Sequence, residues 1–138
     1  DFAVKNETYL NIEIKDISNT KVHPVAVEEI YRCIKRKECE DKVLISSFNH
    51  GYLKEFKKIN SSISTAALVH KFHPDNLVEY LKELGVCAYH VDNESISKDL
   101  VEMLNKENIF VNVYTANKNS RKQELFDWGV KAVFTDLL

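Results

Sequence analysis

Leu10-Asn11-Ile12-Glu13-Ile14-Lys15 is the stretch on which the fold turns. Side chains of a strand alternate between its faces, so Leu10, Ile12 and Ile14 share one side while Asn11, Glu13 and Lys15 share the other. Strands of an open sheet covered by helices on both sides read as near-continuous apolar runs. A strand that alternates in this way favours a (β/α) barrel over a doubly wound open sheet. Burying either charge unpaired would cost several kcal/mol, so Glu13 and Lys15 need water, a ligand or each other. The pair is the first functional candidate. An internal salt bridge that sets strand register is its structural alternative.

The rest of the chain extends this pattern. Short β-branched or apolar runs at residues 10–15, 43–48, 65–70, 87–92, 111–117 and 132–136 read as six strands. Helical spacing fills the gaps. Val27, Ile30, Tyr31 and Ile34 recur at i, i+3, i+4 and i+7, with Pro24 near the first turn and Lys35, Arg36 and Lys37 at the end where cations suit the dipole. Residues 51–59 offer Leu53, Phe56 and Ile59, and residues 74–84 offer Leu77, Val78 and Leu81 before Gly85. Ser97 is placed to cap a helix carrying Leu100, Val101 and Leu104, and residues 120–128 present Leu125, Phe126 and Trp128 before Gly129. Six strands and five helices with short connections imply an α/β fold built of parallel crossovers.

Composition narrows the function classes. The 138 residues are 44% hydrophobic and 29% charged, which excludes disorder, and nineteen Lys and Arg against twenty-one Asp and Glu give a net charge of −2. No basic excess advertises nucleic acid or an anionic membrane, and no apolar run approaches the ~18 residues of a membrane span. The basic runs at residues 32–37 and 54–58 lack interleaved aromatic platforms and read as solvated helix faces. Cys33, Cys39 and Cys87 form no C-x-x-C pair, so neither a disulfide framework nor a zinc knuckle is indicated and a reducing, cytoplasmic setting is expected. Neither G-x-G-x-x-G nor G-x-x-x-x-G-K-[ST] occurs, which removes the main support for nucleotide binding.

In (β/α) barrels the working residues sit at the C-terminal ends of strands. Here those ends carry Glu13 and Lys15; Ser46, Ser47 and Phe48 with Asn49 and His50; His70 with Lys71; His90 and Asp92; Tyr114, Thr115 and Asn117; and Thr135 with Asp136. His70 and His73 lack a third ligand at zinc spacing and read as a loop pair, and His23 reads as a loop residue before Pro24.

In order and spacing, four of these strands resemble the C-terminal half of the glycerophosphodiester phosphodiesterase family. They are Leu-Asn-Ile-Glu-Ile-Lys at 10–15, Val-Leu-Ile-Ser-Ser-Phe-Asn at 43–49, Val-Asn-Val-Tyr-Thr-Ala-Asn at 111–117 and Gly-Val-Lys-Ala-Val-Phe-Thr-Asp at 129–136. The resemblance implies a TIM-type (β/α) barrel of the phospholipase-C-like phosphodiesterase fold, here six of eight strands. It also implies hydrolysis of glycerophosphodiesters, such as glycerophosphocholine or glycerophosphoethanolamine, to glycerol 3-phosphate and an alcohol with a divalent cation, Mg²⁺ or Ca²⁺. Carried over by motif, Glu13 matches the acidic metal ligand and Lys15 the lysine that faces the substrate phosphate, a catalytic role. Ser47 and Phe48 match the S-F motif that borders the pocket. Tyr114 stands where W-T-x-N has tryptophan, Asn117 matches that motif's last residue, and Thr135 and Asp136 match a closing T-D read as structural. The chemistry agrees, because a hard cation takes carboxylate oxygens and a phosphodiester's charge takes an ammonium.

The family's H-R-G, P-E-N-T, E-x-D and H-D motifs, which supply both catalytic histidines and the other metal carboxylates, have no counterpart in the chain. The expectation is therefore that residues 1–138 are the C-terminal portion of a single barrel domain, with those motifs upstream of Asp1, and that the portion alone is inactive. Such a barrel needs roughly 200–250 residues. Two alternatives stand beside it: a non-catalytic half-barrel that binds a partner or forms a homodimer to hide its sheet edges, and a related phospholipase-type phosphodiesterase.

Overall fold

A computed structural model describes residues 5, 6 and 8–137. Strands and helices alternate: β1 (Leu10–Ile14), α1 (His23–Arg36), a 3-10 turn (Glu40–Lys42), β2 (Val43–Ser47), α2 (His50–Ile59), β3 (Ser64–Val69), α3 (Leu77–Leu84), β4 (Ala88–Asp92), α4 (Lys98–Lys106), β5 (Phe110–Tyr114), α5 (Asn119–Asp127) and β6 (Ala132–Val133). The chain divides between Ala66 and Ala67 into two compact units.

In the first unit β1 pairs β2 in parallel, with Glu13 opposite Ser46 and Ile14 opposite Ser47. Ile14, Val43, Ile45, Val27, Ile34, Leu53 and Phe56 are buried, so the apolar faces of the strands and of both helices make the core that the sequence periodicity predicts. α1 starts at His23, with Pro24 in the first turn, and ends with Lys35 and Arg36 in the last. His23, read from sequence as a loop residue, is the first residue of that helix, and its Nδ1 meets Tyr52 Oη at 2.9 Å. α2 begins at His50, because the Asn49 side chain accepts from Gly51 N at 3.1 Å and caps the helix. Ile59 is exposed, since the helix ends there.

In the second unit β4, β5 and β6 pair in parallel, with His90 opposite Asn112 and Asn112 opposite Ala132. Tyr89, Val91, Val111 and Val113 are buried on one face, and α4 packs against β5. Ser97 caps α4 as expected, its hydroxyl accepting from Leu100 N at 3.2 Å. α3 starts at Leu77, three residues after Pro74, and stops at Gly85, whose φ of 67° is the left-handed conformation that glycine adopts freely. α5 buries Leu125 while Phe126 stays exposed, because a lone helix face is too narrow for both. Trp128 finds cover under the Arg121 guanidinium, 4.7 Å from its ring centre. β6 spans two residues in place of the expected five, so Thr135 and Asp136 lie beyond the strand.

Candidate active site

In the first unit the candidate residues gather past the C-terminal ends of β1 and β2. Glu13 Oε1 lies 2.7 Å from Lys15 Nζ, with Lys15 77% exposed and Glu13 29% exposed. β1 stops at Ile14, so Lys15 stands one residue beyond the strand, in solvent. The sequence expectation that both charges sit within the strand is thereby corrected for Lys15. An ion pair this open is worth at most about 1 kcal/mol, so stability does not require it. Glu13 Oε1 itself is screened from water, and its partner among the described residues is the Lys15 ammonium.

Ser47, matched by motif to the border of the pocket, is engaged by its neighbours. Ser47 Oγ donates to Ile14 O at 2.7 Å and accepts from Asn49 N at 3.0 Å, tying the end of β1 to the start of the α2 cap. Ser46 is fully buried, opposite Glu13 in the ladder, and its hydroxyl has no hydrogen-bond partner among the described residues. Strand alternation was the available signal: Val43, Ile45 and Ser47 share the apolar face, leaving Leu44 and Ser46 on the side of Glu13. Phe48 follows the strand, half-buried. Beside it, Asn49 Nδ2 donates to Asp16 Oδ1 at 3.2 Å, and Ser18 N donates to the same oxygen at 3.0 Å. The Ser18 main-chain N–H, then the Ser18 and Asn49 side chains, hold the Asp16 carboxyl below its usual range.

In the second unit Tyr114 ends β5 half-buried, and its phenol donates to Val69 O at 2.5 Å. Asn117 is occupied by its own surroundings. Its Nδ2 donates to Asp136 Oδ2 at 3.1 Å, while its Oδ1 accepts from Thr135 Oγ1 at 3.1 Å and Asp136 N at 2.9 Å. These bonds tie Thr135 and Asp136 to the chain after β5. His73 Nδ1 meets Tyr89 Oη at 2.9 Å, so it belongs to a local hydrogen-bond pair. Among the described residues no group of three or more His, Cys, Asp or Glu side chains could hold a metal ion. His90, expected with the polar strand ends, is fully buried in mid-strand and pairs with Asn112 at 3.0 Å. Burial pushes its pKa from 6.5 down to about 4.

Strands that pair in parallel and alternate with helices, with polar chemistry at their C-terminal ends, define the α/β class of protein. The chain belongs to the glycerophosphoryl diester phosphodiesterase family, whose profile matches residues 1–138. It is 29% identical over 130 residues to a glycerophosphodiester phosphodiesterase of Bacillus altitudinis, covering 92% of this chain and 51% of that one. It is 30% identical over 130 residues to a glycerophosphodiester phosphodiesterase of Caldanaerobacter subterraneus subsp. tengcongensis, with the same two coverages of 92% and 51%. The fold matches that of an Oleispira antarctica phosphodiesterase, solved in complex with the product sn-glycerol-3-phosphate, at a TM-score of 0.77 and 22% identity, over 96% of this chain and 53% of that one. The chain therefore spans about half the length of the curated relatives it matches. Among the described residues no helix is long and apolar enough to cross a membrane.

Proposed function

We propose that this chain contributes to the metal-dependent hydrolysis of a glycerophosphodiester to glycerol 3-phosphate and an alcohol, with Glu13 as one metal ligand and Lys15 as the group that faces the phosphate. The observation that supports the reading is the end of β1, where a carboxylate oxygen screened from water is paired at 2.7 Å with an exposed ammonium. Glu13 fits a hard divalent cation such as Mg²⁺ or Ca²⁺, which takes oxygen ligands. It fits as a single ligand, because the described residues hold no further cluster of metal-binding type. When bound, such an ion supplies Lewis-acid polarisation of a phosphoryl oxygen.

The chain's own residues divide the remaining work. Lys15, the exposed member of the ion pair with Glu13, places its ammonium against the non-bridging oxygens and stabilises the charge that builds on them as the phosphorus is attacked. Phe48 borders the substrate, and Ser47 holds the backbone beneath it. In the second unit Asn117 holds the end of β5, where Tyr114 stands, to the chain after β6. Attack and departure at phosphorus need a general base and a general acid, and none of the five histidines lies in the motif contexts that would assign it either role. Residues 1–138 alone are accordingly expected to be inactive. The test is hydrolysis of glycerophosphocholine by a full-length protein that joins residues 1–138 to the family's H-R-G and E-x-D motifs, and by its Glu13→Gln variant, across a titration of Mg²⁺ or Ca²⁺. The variant is expected to need far more metal for the same rate. An unchanged metal dependence and rate would end the assignment.

A further inference from the structure

Lys15 stands one residue past β1, and the chain on either side of it is held by side chains from the junction of β2 with α2. Ser47 Oγ donates to Ile14 O at 2.7 Å, Asn49 Nδ2 donates to Asp16 Oδ1 at 3.2 Å, and Tyr52 Oη accepts from Ile17 N at 3.3 Å. The residues gripped are Ile14, Asp16 and Ile17, so Lys15 lies inside the bracket. Ser18 N closes the turn on the same Asp16 oxygen at 3.0 Å.

The gripping groups are themselves fixed. Ser47 is fully buried and Tyr52 is 1% exposed. Asn49 fills two duties at once: its Oδ1 accepts from Gly51 N at 3.1 Å and caps α2, which leaves the Nδ2 donor for Asp16. Aspartate caps a helix equally well but carries no donor. At Tyr52, accepting from Ile17 N leaves the phenol proton for His23 Nδ1, 2.9 Å away at the start of α1, so the oxygen is held from two sides. The Asn49–Asp16 bond is exposed, so stability gains little from it. What it does control is geometry. Lysine is a point charge on a flexible stem, so the reach of its ammonium depends on where the main chain carries that stem.

We infer that Asn49 and Tyr52 are positioning residues for Lys15, holding the main chain around it so that the ammonium meets the phosphate oxygens of a bound phosphodiester. The inference rests on the Lys15 role proposed above. The test is a double-mutant cycle on kcat for glycerophosphocholine at saturating divalent metal, in a full-length protein that joins residues 1–138 to the family's H-R-G and E-x-D motifs. Asn49→Asp keeps the cap and sets two carboxylates against each other, while Tyr52→Phe keeps the ring and removes the oxygen. Each is expected to lower kcat about tenfold with the metal dependence unchanged, inside the ~100-fold that a misplacement on the order of 1 Å costs. In a Lys15→Met background each should change kcat by less than about twofold, because no ammonium is left to misplace. Hydrogen exchange at the Ile17 amide should quicken in Tyr52→Phe, and unchanged exchange overturns the part given to Tyr52. Losses that recur in full in the Lys15→Met background make both residues merely structural and overturn the inference. So do single variants that keep the parent's rate while Lys15→Met is slow. If Tyr52→Phe fails to fold, Asn49→Asp decides alone. A Lys15→Met variant as active as the parent refutes the Lys15 role itself, and the positioning role falls with it.

Discussion

Replacing Ser47 and Ser46 by alanine, one at a time, separates a hydroxyl that holds the site together from one that does not. Ser47 Oγ makes two hydrogen bonds, to Ile14 O at 2.7 Å and from Asn49 N at 3.0 Å, in a fully buried position. Each is worth about 0.5–1.5 kcal/mol net, so Ser47→Ala is expected to destabilise by about 2 kcal/mol. Ser46 is equally buried, but its hydroxyl has no partner among the described residues. Removing it relieves the burial of an unmatched polar group, so Ser46→Ala is expected to be neutral within about 0.5 kcal/mol or slightly stabilising. Urea unfolding monitored by circular dichroism measures both. With a slope of about 2 kcal/mol per molar, Ser47→Ala lowers the midpoint by roughly 1 M at unchanged slope, and Ser46→Ala leaves it in place. Equal losses for the two variants, or a larger loss for Ser46→Ala, would refute the reasoning.

Three further outcomes are expected. Because burial holds the His90 pKa at about 4 against 6.5 in the unfolded chain, the unfolded state binds a proton across that window and the folded state does not. Stability is then full above pH 6.5 and falls progressively toward pH 4, by about 2 kcal/mol between pH 8 and pH 5; urea midpoints against pH should show this slope, and a His90→Gln variant that keeps it would contradict the assignment. Asn117→Ala removes three exposed hydrogen bonds worth about 1–1.5 kcal/mol together, and frees the Asp136 amide, whose hydrogen exchange should accelerate. Unchanged protection there would show that Asn117 does not hold the chain after β6. Lys15→Met, at an exposed position, should leave the unfolding midpoint within about 0.5 kcal/mol of the parent, and a larger loss would make the ion pair structural.

Much of the architecture was legible because the two periodicities are clean. The alternation over 10–15 and the spacing of Val27, Ile30, Tyr31 and Ile34 each meet a core the same sequence supplies, and Ser97 caps the helix that its position promises. Strand ends were harder to read. β1 stops before Lys15 and β6 after Val133, because pairing depends on how far the neighbouring strand continues, which no local pattern encodes. At the candidate site, motif resemblance pointed to Glu13 and Lys15 and the structure brings them together. It also pointed to Ser47 and Asn117, whose polar groups are engaged by their neighbours. Ser46 and His90 were read only as polar strand ends and Asn112 was not singled out: a polar residue within an apolar run shows its burial only once its register partner is known.

The central claim is that Lys15 acts on the phosphate of a glycerophosphodiester. The most direct measurement is kcat/KM for glycerophosphocholine, in a full-length protein that joins residues 1–138 to the family's H-R-G and E-x-D motifs and in its Lys15→Met variant, at saturating divalent metal. Loss of an ammonium that stabilises developing charge predicts a fall of about 10²–10³-fold, carried mainly by kcat, with the fold intact. A variant that turns over within about threefold of the parent would contradict the account.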